Sequence, residues 1–187
     1  MHESEHPRQV WSFDIDGVLN NYPDVWLTYI EREAGQRFRS VDEARQSLGG
    51  RYEHLKHAYR LSTYKYHVPL NPEAIPVIAL LRHRGDLVYI ATSRPYEKYP
   101  HMRAQSLEWL QRGGIVCDGF LEKRSDVLRD VHCSLHIDDE EESIRVLRAQ
   151  GIRCAWYVRA DAARRTCEFP DVEAIRSLAL LPQLRFA

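Results

Sequence analysis

The sequence predicts an α/β fold: a mostly parallel sheet flanked by helices, with a small helical insert after the first strand. From Asn71 onward, short apolar runs with β-branched members alternate with helical stretches of about ten residues, the pattern of right-handed βαβ units. A first apolar run, Val10 to Phe13, stops abruptly at Asp14-Ile15-Asp16-Gly17. Between that run and Asn71 the alternation gives way to three helical stretches.

Val10-Trp11-Ser12-Phe13 reads as a buried strand. Asp14 and Asp16, spaced i, i+2, share one side of it, and Gly17 lets the chain turn tightly behind them. Two acids packed together need a cation or a shared proton, since like charges in low dielectric cannot both ionise unaided. Hard oxygen ligands suit Mg²⁺. One aspartate is then free for covalent chemistry, as in carboxylate nucleophiles that form aspartyl-phosphates. A calcium loop of the EF-hand type needs a Glu at its twelfth position, and counting from Asp14 that position is Val25.

Asp24 to Ala34, Val41 to Leu48 and Tyr52 to Arg60 read as three helices separated by Gly35 and Gly49-Gly50. They are too long for an ordinary crossover of about a dozen residues. Residues 22–69 are therefore expected to form a helical cap, with 8–21 and 70–187 as the core. Trp26, Tyr29 and Tyr52 could stack on a nucleobase or fill the cap's own core. Arg60 and Lys65, on the return path, could reach an anionic or polar substrate group or lie in solvent.

Pro72 to Leu81 carries apolar residues at helical spacing and meets Gly85 as a stop, with Pro76 in the first turn of a regular helix starting near Ile75. Leu87 to Ala91 is a strand ending in Thr92-Ser93-Arg94-Pro95. A hydroxyl at the carboxyl end of a parallel strand faces the ligand crevice and can donate to a phosphate oxygen, as can the N–H groups of the turn; a plain cap is the other reading. A helix around Met102 to Gln111 is halted by Gly113-Gly114, and the next strand lies near Ile115-Val116 or Phe120-Leu121. Lys123-Arg124 then precedes a helical stretch, Ser125 to Arg129. It is either a cation for a developing phosphoryl charge or a solvated pair. Ser134 to Ile137 is a strand ending in a second acid pair, Asp138-Asp139, which could ligate a metal or cap the helix Glu141 to Gln150. Arg153 to Val158 is a further strand.

Composition narrows the function classes. At 187 residues and 44% apolar, the chain can bury one core. With 26 basic and 27 acidic residues it lacks the charge of a nucleic-acid coat or membrane-surface protein. No apolar run approaches the roughly 20 residues of a membrane span, and MHESEHPRQ does not read as a signal peptide. Cys117, Cys133, Cys154 and Cys167 lack C-x-x-C pairing, as expected of buried, reduced thiols in a cytoplasmic protein. Among nine histidines only His54 and His57 share a helical face, with no third ligand nearby for zinc.

Asp14-Ile15-Asp16-Gly17-Val18-Leu19 resembles motif one of the haloacid dehalogenase-like (HAD) superfamily of phosphatases. Thr92 at the end of the second core strand, Lys123-Arg124 before a helix, and Asp138-Asp139 resemble its second, third and fourth motifs, in order, across about residues 10 to 158. The resemblance implies a Rossmann-like parallel sheet and a Mg²⁺-dependent phosphomonoester hydrolase. Asp14 would be the nucleophile and Asp16 the general acid and base. Mg²⁺ would be held among Asp14, Asp16 (through its backbone carbonyl) and Asp138 or Asp139. Thr92, Ser93, Arg94 and a motif-three cation would bind substrate. The superfamily places one lysine there; Lys123 matches by its compact ammonium, Arg124 by alignment on the following Asp-Val-Leu.

Tyr59 to Lys65, Val68-Pro69 and Thr92-Ser93 resemble the 5′-nucleotidase (deoxyribonucleotidase-type) branch, from which Arg94 departs, so a nucleotide or similar small phosphorylated metabolite is the expected substrate. The segment from Ser93 to Trp109 is also similar to the 3′-phosphatase domain of polynucleotide kinases. A nucleic-acid end would require a basic groove, for which Arg94, Lys98, Arg103 and Arg112 are the candidates. A non-catalytic phosphate-binding or interaction domain is the remaining alternative, and the converging carboxylates argue against it.

Overall fold

The computed structural model of the chain describes residues 7–159 and 172–184. Its centre is a six-stranded parallel sheet of β1 (Val10–Phe13), β2 (Leu87–Thr92), β3 (Gly119–Glu122), β4 (Leu135–Asp138), β5 (Cys154–Tyr157) and β6 (Glu173–Ile175), in the order β3-β2-β1-β4-β5-β6. Every pairing is parallel. Parallel strands covered on both faces read as near-continuous apolar runs, and β1 and β4 are buried along their whole length. The chain winds from β1 out to β3, then returns to the other side of β1 to lay down β4. The crevice at the carboxyl ends of β1 and β4 is therefore the switch point where such sheets bind ligands.

Helices cover both faces. One cluster joins Trp11, Phe13, Val88, Ile90, Leu135 and Ile137 to α4 (Ala74–His83), α5 (His101–Arg112) and a terminal 3₁₀ stretch, Leu178–Gln183. The other sets Trp156 and Cys154 of β5 against Leu128 of α6 (Ser125–Asp130) and Ile144 and Leu147 of α7 (Glu141–Ala149). The choice left open for the third strand falls on Gly119–Glu122. Ile115 instead closes the end of α5, its N–H donating to Leu110 O at 2.9 Å, and Val116 is 63% exposed.

Between β1 and α4 lie α1 (Asp24–Ala34), α2 (Val41–Leu48), α3 (Gly50–Leu61) and a 3₁₀ turn, Tyr64–Tyr66. They share a separate apolar cluster of Trp26, Tyr29, Ile30, Phe38, Ala44, Tyr52 and Tyr59. Trp26 and Tyr29 are thus core and not a free stacking platform. Trp26 is fully buried, lies edge-on to Tyr52 at 5.5 Å between centroids, and donates its indole N–H to the Tyr52 hydroxyl at 3.1 Å.

Cys154 is buried, Cys117 and Cys133 are only half-buried, and Cys167 lies outside the described residues. The His54 ring faces Gly50 O and the His57 ring faces the Tyr99 hydroxyl, so the two do not converge. Among the described residues no helix is long and apolar enough to cross a membrane.

Candidate active site

The strand ends put four motif segments around one crevice. Asp14 follows β1, Asp138 closes β4, Thr92 closes β2, and Lys123 follows β3. Asp14 and Lys123 are each almost wholly buried, with 6% and 4% of the side chain exposed, and Asp138 is completely buried. The Lys123 ammonium donates to Asp14 Oδ2 at 3.1 Å and to Asp138 Oδ2 at 2.9 Å. Burial alone would lower its pKa; the two carboxylates overcome this and raise it, so it stays charged.

Side-chain alternation along two paired strands supplies a further layer. Ser12 and Asp14 share one face of β1, His136 and Asp138 share one face of β4, and Ser12 pairs in register with His136. The His136 ring bridges them, with Nδ1 3.0 Å from Ser12 Oγ and Nε2 3.2 Å from Asp138 Oδ2. An ionised carboxylate only accepts, so Nε2 carries a proton toward Asp138. Asp138 Oδ1 accepts from Glu140 N–H at 3.0 Å. Although burial acts to raise its pKa, His136 and Lys123 hold Asp138 below the usual carboxylate range.

Asp139 has a different setting. Its carboxylate lies over Gly17, where an added Cβ would sit 1.9 Å from Oδ2, and Gly17 has φ +86°. Burial, with Asp14 and Asp138 nearby, raises the Asp139 pKa well above the ordinary value. Burial and the surrounding acids likewise push Asp14 up to about 7 against the pull of Lys123. Asp14 Oδ1 is buried without a hydrogen-bond partner, and ligand atoms of Asp14, Asp138 and Asp139 lie within 4.8 Å of one another. Three crowded carboxylates facing one lysine, with an orphaned oxygen between them, fit a hard divalent cation.

The Asp16 carboxylate lies outside this cluster, which leaves only its backbone carbonyl as the expected contact to a metal. Asn20 Nδ2 donates to its Oδ1 at 2.8 Å, and Arg94 grips it with Nη2 to Oδ1 at 2.6 Å and Nε to Oδ2 at 2.9 Å. Burial works to raise the Asp16 pKa, but the guanidinium and Asn20 hold it well below the carboxylate range. Arg94 is itself 8% exposed and also donates to Ser106 Oγ at 2.9 Å. It is thus bonded to Asp16 where it lines the cavity.

The remaining expectations divide. Thr92 is buried and its hydroxyl accepts from Arg94 N–H at 3.3 Å, while exposed Ser93 lines the cavity over the crevice. Arg124 does not reach the site: its side chain is 59% exposed and paired with Glu122 and Asp126 on the surface. Lys123, one residue earlier, points inward. The basic groove does not assemble either. Arg94 is bound to Asp16, Arg112 donates to Tyr66 O, Lys98 lies over Tyr99 and Arg103 over Phe120.

The cavity measures about 560 Å³ and opens between the crevice and the helical insert. Asp14, Asp16, Lys123 and Asp139 line it from below, and Tyr22, Tyr52, Lys56, Tyr59, Arg60 and Lys65 from the insert. His136, Ser12, Asn20 and Lys56 were not singled out from sequence. The i, i+2 rule that paired Asp14 with Asp16 would have placed His136 beside Asp138.

No family model and no curated protein sequence matches the chain. Solved structures do match in fold. A Thermotoga maritima protein bearing the name β-phosphoglucomutase is 17% identical, with a TM-score of 0.65 over 95% of this chain and 100% of its own. CbbY of Rhodobacter sphaeroides in complex with phosphate is 16% identical, with a TM-score of 0.63 over 93% and 96%; a mutant form was solved with xylulose-(1,5)bisphosphate. The Bacillus subtilis HAD-hydrolase YfnB, bound to magnesium, is 13% identical, with a TM-score of 0.64 over 94% and 97%. The chain shares the Rossmann-like fold of HAD-superfamily hydrolases.

Proposed function

We propose that the protein is a Mg²⁺-dependent phosphomonoester hydrolase acting through an aspartyl-phosphate on Asp14, with a small phosphorylated metabolite as substrate. The observation that carries this reading is the state of Asp14. One oxygen is fixed by Lys123, the other is buried without a partner, and both sit at the switch point of the sheet. A pure scaffold would not gather three acids there, two of them buried.

Asp14 attacks phosphorus while Lys123 offsets charge on the transferring group. Asp14, the backbone carbonyl of Asp16 and one of Asp138 and Asp139 would hold the cation, which when bound lowers the carboxylate repulsion and offsets phosphate charge. Asp138 is already bonded to Lys123, His136 and Glu140 N–H, whereas no hydrogen bond or ion pair of the described residues engages the Asp139 carboxylate. Asp139 is therefore the direct ligand, and Asp138 positions the lysine. Asp16 gives a proton to the leaving alkoxide and takes one from the attacking water in the second step. Its ionised, Arg94-bound form suits the second role; the first requires the grip to loosen when substrate enters.

The 5′-nucleotidase reading is the finer form of the proposal. Of the rings that could stack on a base, Tyr52 lines the cavity wall beside Tyr22 and Tyr59, while Trp26 and Tyr29 lie in the insert's own core. A screen of purified protein with Mg²⁺ over p-nitrophenyl phosphate, nucleoside monophosphates and sugar phosphates tests both levels. Release of phosphate that Asp14→Asn and EDTA each abolish supports the hydrolase; no release from any phosphomonoester refutes it.

A further inference from the structure

Above the acids, the insert turns three cations into the cavity. Lys65 is 3% exposed and Lys56 and Arg60 are half-buried, and all three line the cavity. No described carboxylate lies within the 4.0 Å of an ion pair from any of them. Their neighbours are aromatic. Lys65 Nζ sits 5.0 Å from the Tyr59 ring centre and 5.4 Å from that of Tyr66. Lys56 Nζ sits 4.4 Å from the Trp26 ring centre and donates to the Tyr22 hydroxyl at 3.1 Å. Arg60 lies over Tyr99 at 5.7 Å. Ring faces stabilise a partly desolvated cation without neutralising it.

A buried ammonium without a counter-charge is costly, and these three stand together. Asp16 is the carboxylate whose charge reaches both lysines, but its oxygens are taken by Arg94 and Asn20, and burial with the neighbouring cations pulls the pKa of Lys56 down to about 8 and that of Lys65 to about 7. Lys56, Arg60 and Lys65 line the cavity from α3 and the 3₁₀ turn of the insert, whereas Asp14 and Lys123 line it from the strand ends. Lys123 serves the Asp14 side. The cavity thus has two separate cationic poles, and its volume suits a small ligand far larger than inorganic phosphate.

Resting on the hydrolase reading, we infer that the substrate carries a second anionic group, seated by Lys56, Arg60 and Lys65 while Asp14 attacks the phosphate at the other pole. A charge-assisted contact of this kind is directional and strong. It also explains why burying Lys65 is tolerable: the missing counter-charge arrives with the ligand. The second anion is a phosphate or a carboxylate, since either accepts from an ammonium and a guanidinium.

The test compares matched substrates on the full chain with Mg²⁺: a hexose bisphosphate against the hexose monophosphate, and phosphoglycerate against glycerol phosphate. We expect kcat/KM to rise at least tenfold for the member with a second anionic group in one pair, and the pair that responds identifies that group. Lys56→Met and Lys65→Met should each bring that ratio toward one; if Lys65→Met does not fold, Lys56→Met and the wild-type ratio still decide. Ratios near one in both pairs, with p-nitrophenyl phosphate hydrolysed normally, overturn this inference and leave the hydrolase standing. No hydrolysis of any phosphomonoester overturns the hydrolase instead. The subsite is then decided by calorimetric binding of the hexose bisphosphate and monophosphate to the same protein, where equal affinities refute it.

Discussion

Gly17→Ala separates backbone strain from site chemistry, because Gly85 provides a matched control. The two glycines have nearly the same backbone, φ +86° and φ +88°. A Cβ on Gly85 meets nothing within 4 Å, whereas one on Gly17 falls 1.9 Å from Asp139 Oδ2 and 2.1 Å from its Cγ. A non-glycine residue in the left-handed region costs about 1–2 kcal/mol, partly offset by roughly 0.4–1 kcal/mol from a stiffer unfolded chain. Both variants should therefore lose about 1 kcal/mol, or about 2–4 °C in Tm for a chain of this size. Only Gly17→Ala also drives the Asp139 carboxylate out of its seat beside Asp14. Losing one carboxylate ligand should weaken Mg²⁺ at least tenfold, by analogy with the 10–100-fold cost of disturbing even the groups that orient ligands. The assay is Mg²⁺ titration followed by Tm and by phosphate release, on both variants and wild type. Wild-type Mg²⁺ affinity in Gly17→Ala, or an equal loss in Gly85→Ala, would refute the assignment of Asp139 to the metal.

What was legible in the sequence follows from how local each signal is. The strand-end acids could be read because an apolar run, two carboxylates and a glycine are contiguous, and a parallel strand presents its end to the crevice. The helices of the insert were legible from periodicity and glycine stops, and the first two coincide with α1 and α2. Strand β6 was not, because three residues with only Ile175 buried carry no period. Arg94 could be identified as unusual but not understood, since its partner Asp16 is 78 positions away and only the β1–β2 pairing brings them together. The choice between Lys123 and Arg124 was equally non-local. Lys123 N–H donates to Thr92 O at 3.0 Å, extending the β2–β3 ladder, and on an extended strand the next side chain must point the other way. Lys56 was hidden for a different reason: a lysine on an amphipathic helix is ordinarily solvated, and nothing in the sequence says that the Trp26 face lies beneath it.

The remaining perturbations probe each part in turn. Asp14→Asn should remove several orders of magnitude of turnover while the Tm stays near wild type; more than a tenth of wild-type activity would rule out the nucleophile. Asp139→Ala should weaken Mg²⁺ more than it lowers Tm, whereas Asp138→Ala, which takes one of the two carboxylates from Lys123 and leaves His136 Nε2 without its acceptor, should destabilise by about 1–3 kcal/mol; the reverse order in a paired titration and melting experiment would exchange their roles. Asp14 with its pKa raised to about 7 holds a proton that the cation must displace, so apparent Mg²⁺ affinity should rise with pH up to about that value; a flat profile between acid and neutral pH would contradict the crowding of the acids. Arg94→Met tests the grip on Asp16. Without the guanidinium, burial is unopposed by its largest counter-influence, so the Asp16 pKa must rise. Protonation of an alkoxide leaving group needs the acid form, so the falling limb of the pH profile for an alkyl phosphate should move to higher pH. With p-nitrophenyl phosphate, whose leaving group needs no proton, it should not move. Stability carries its own sign. A carboxylate with a depressed folded pKa stabilises above its ordinary pKa of about 3.9, and that contribution fades as pH falls. The Tm deficit of Arg94→Met should accordingly be full at neutral pH and shrink in acid. Identical pH profiles for the two substrates in both proteins, or a deficit that grows in acid, would mean that Arg94 does not set the charge of Asp16.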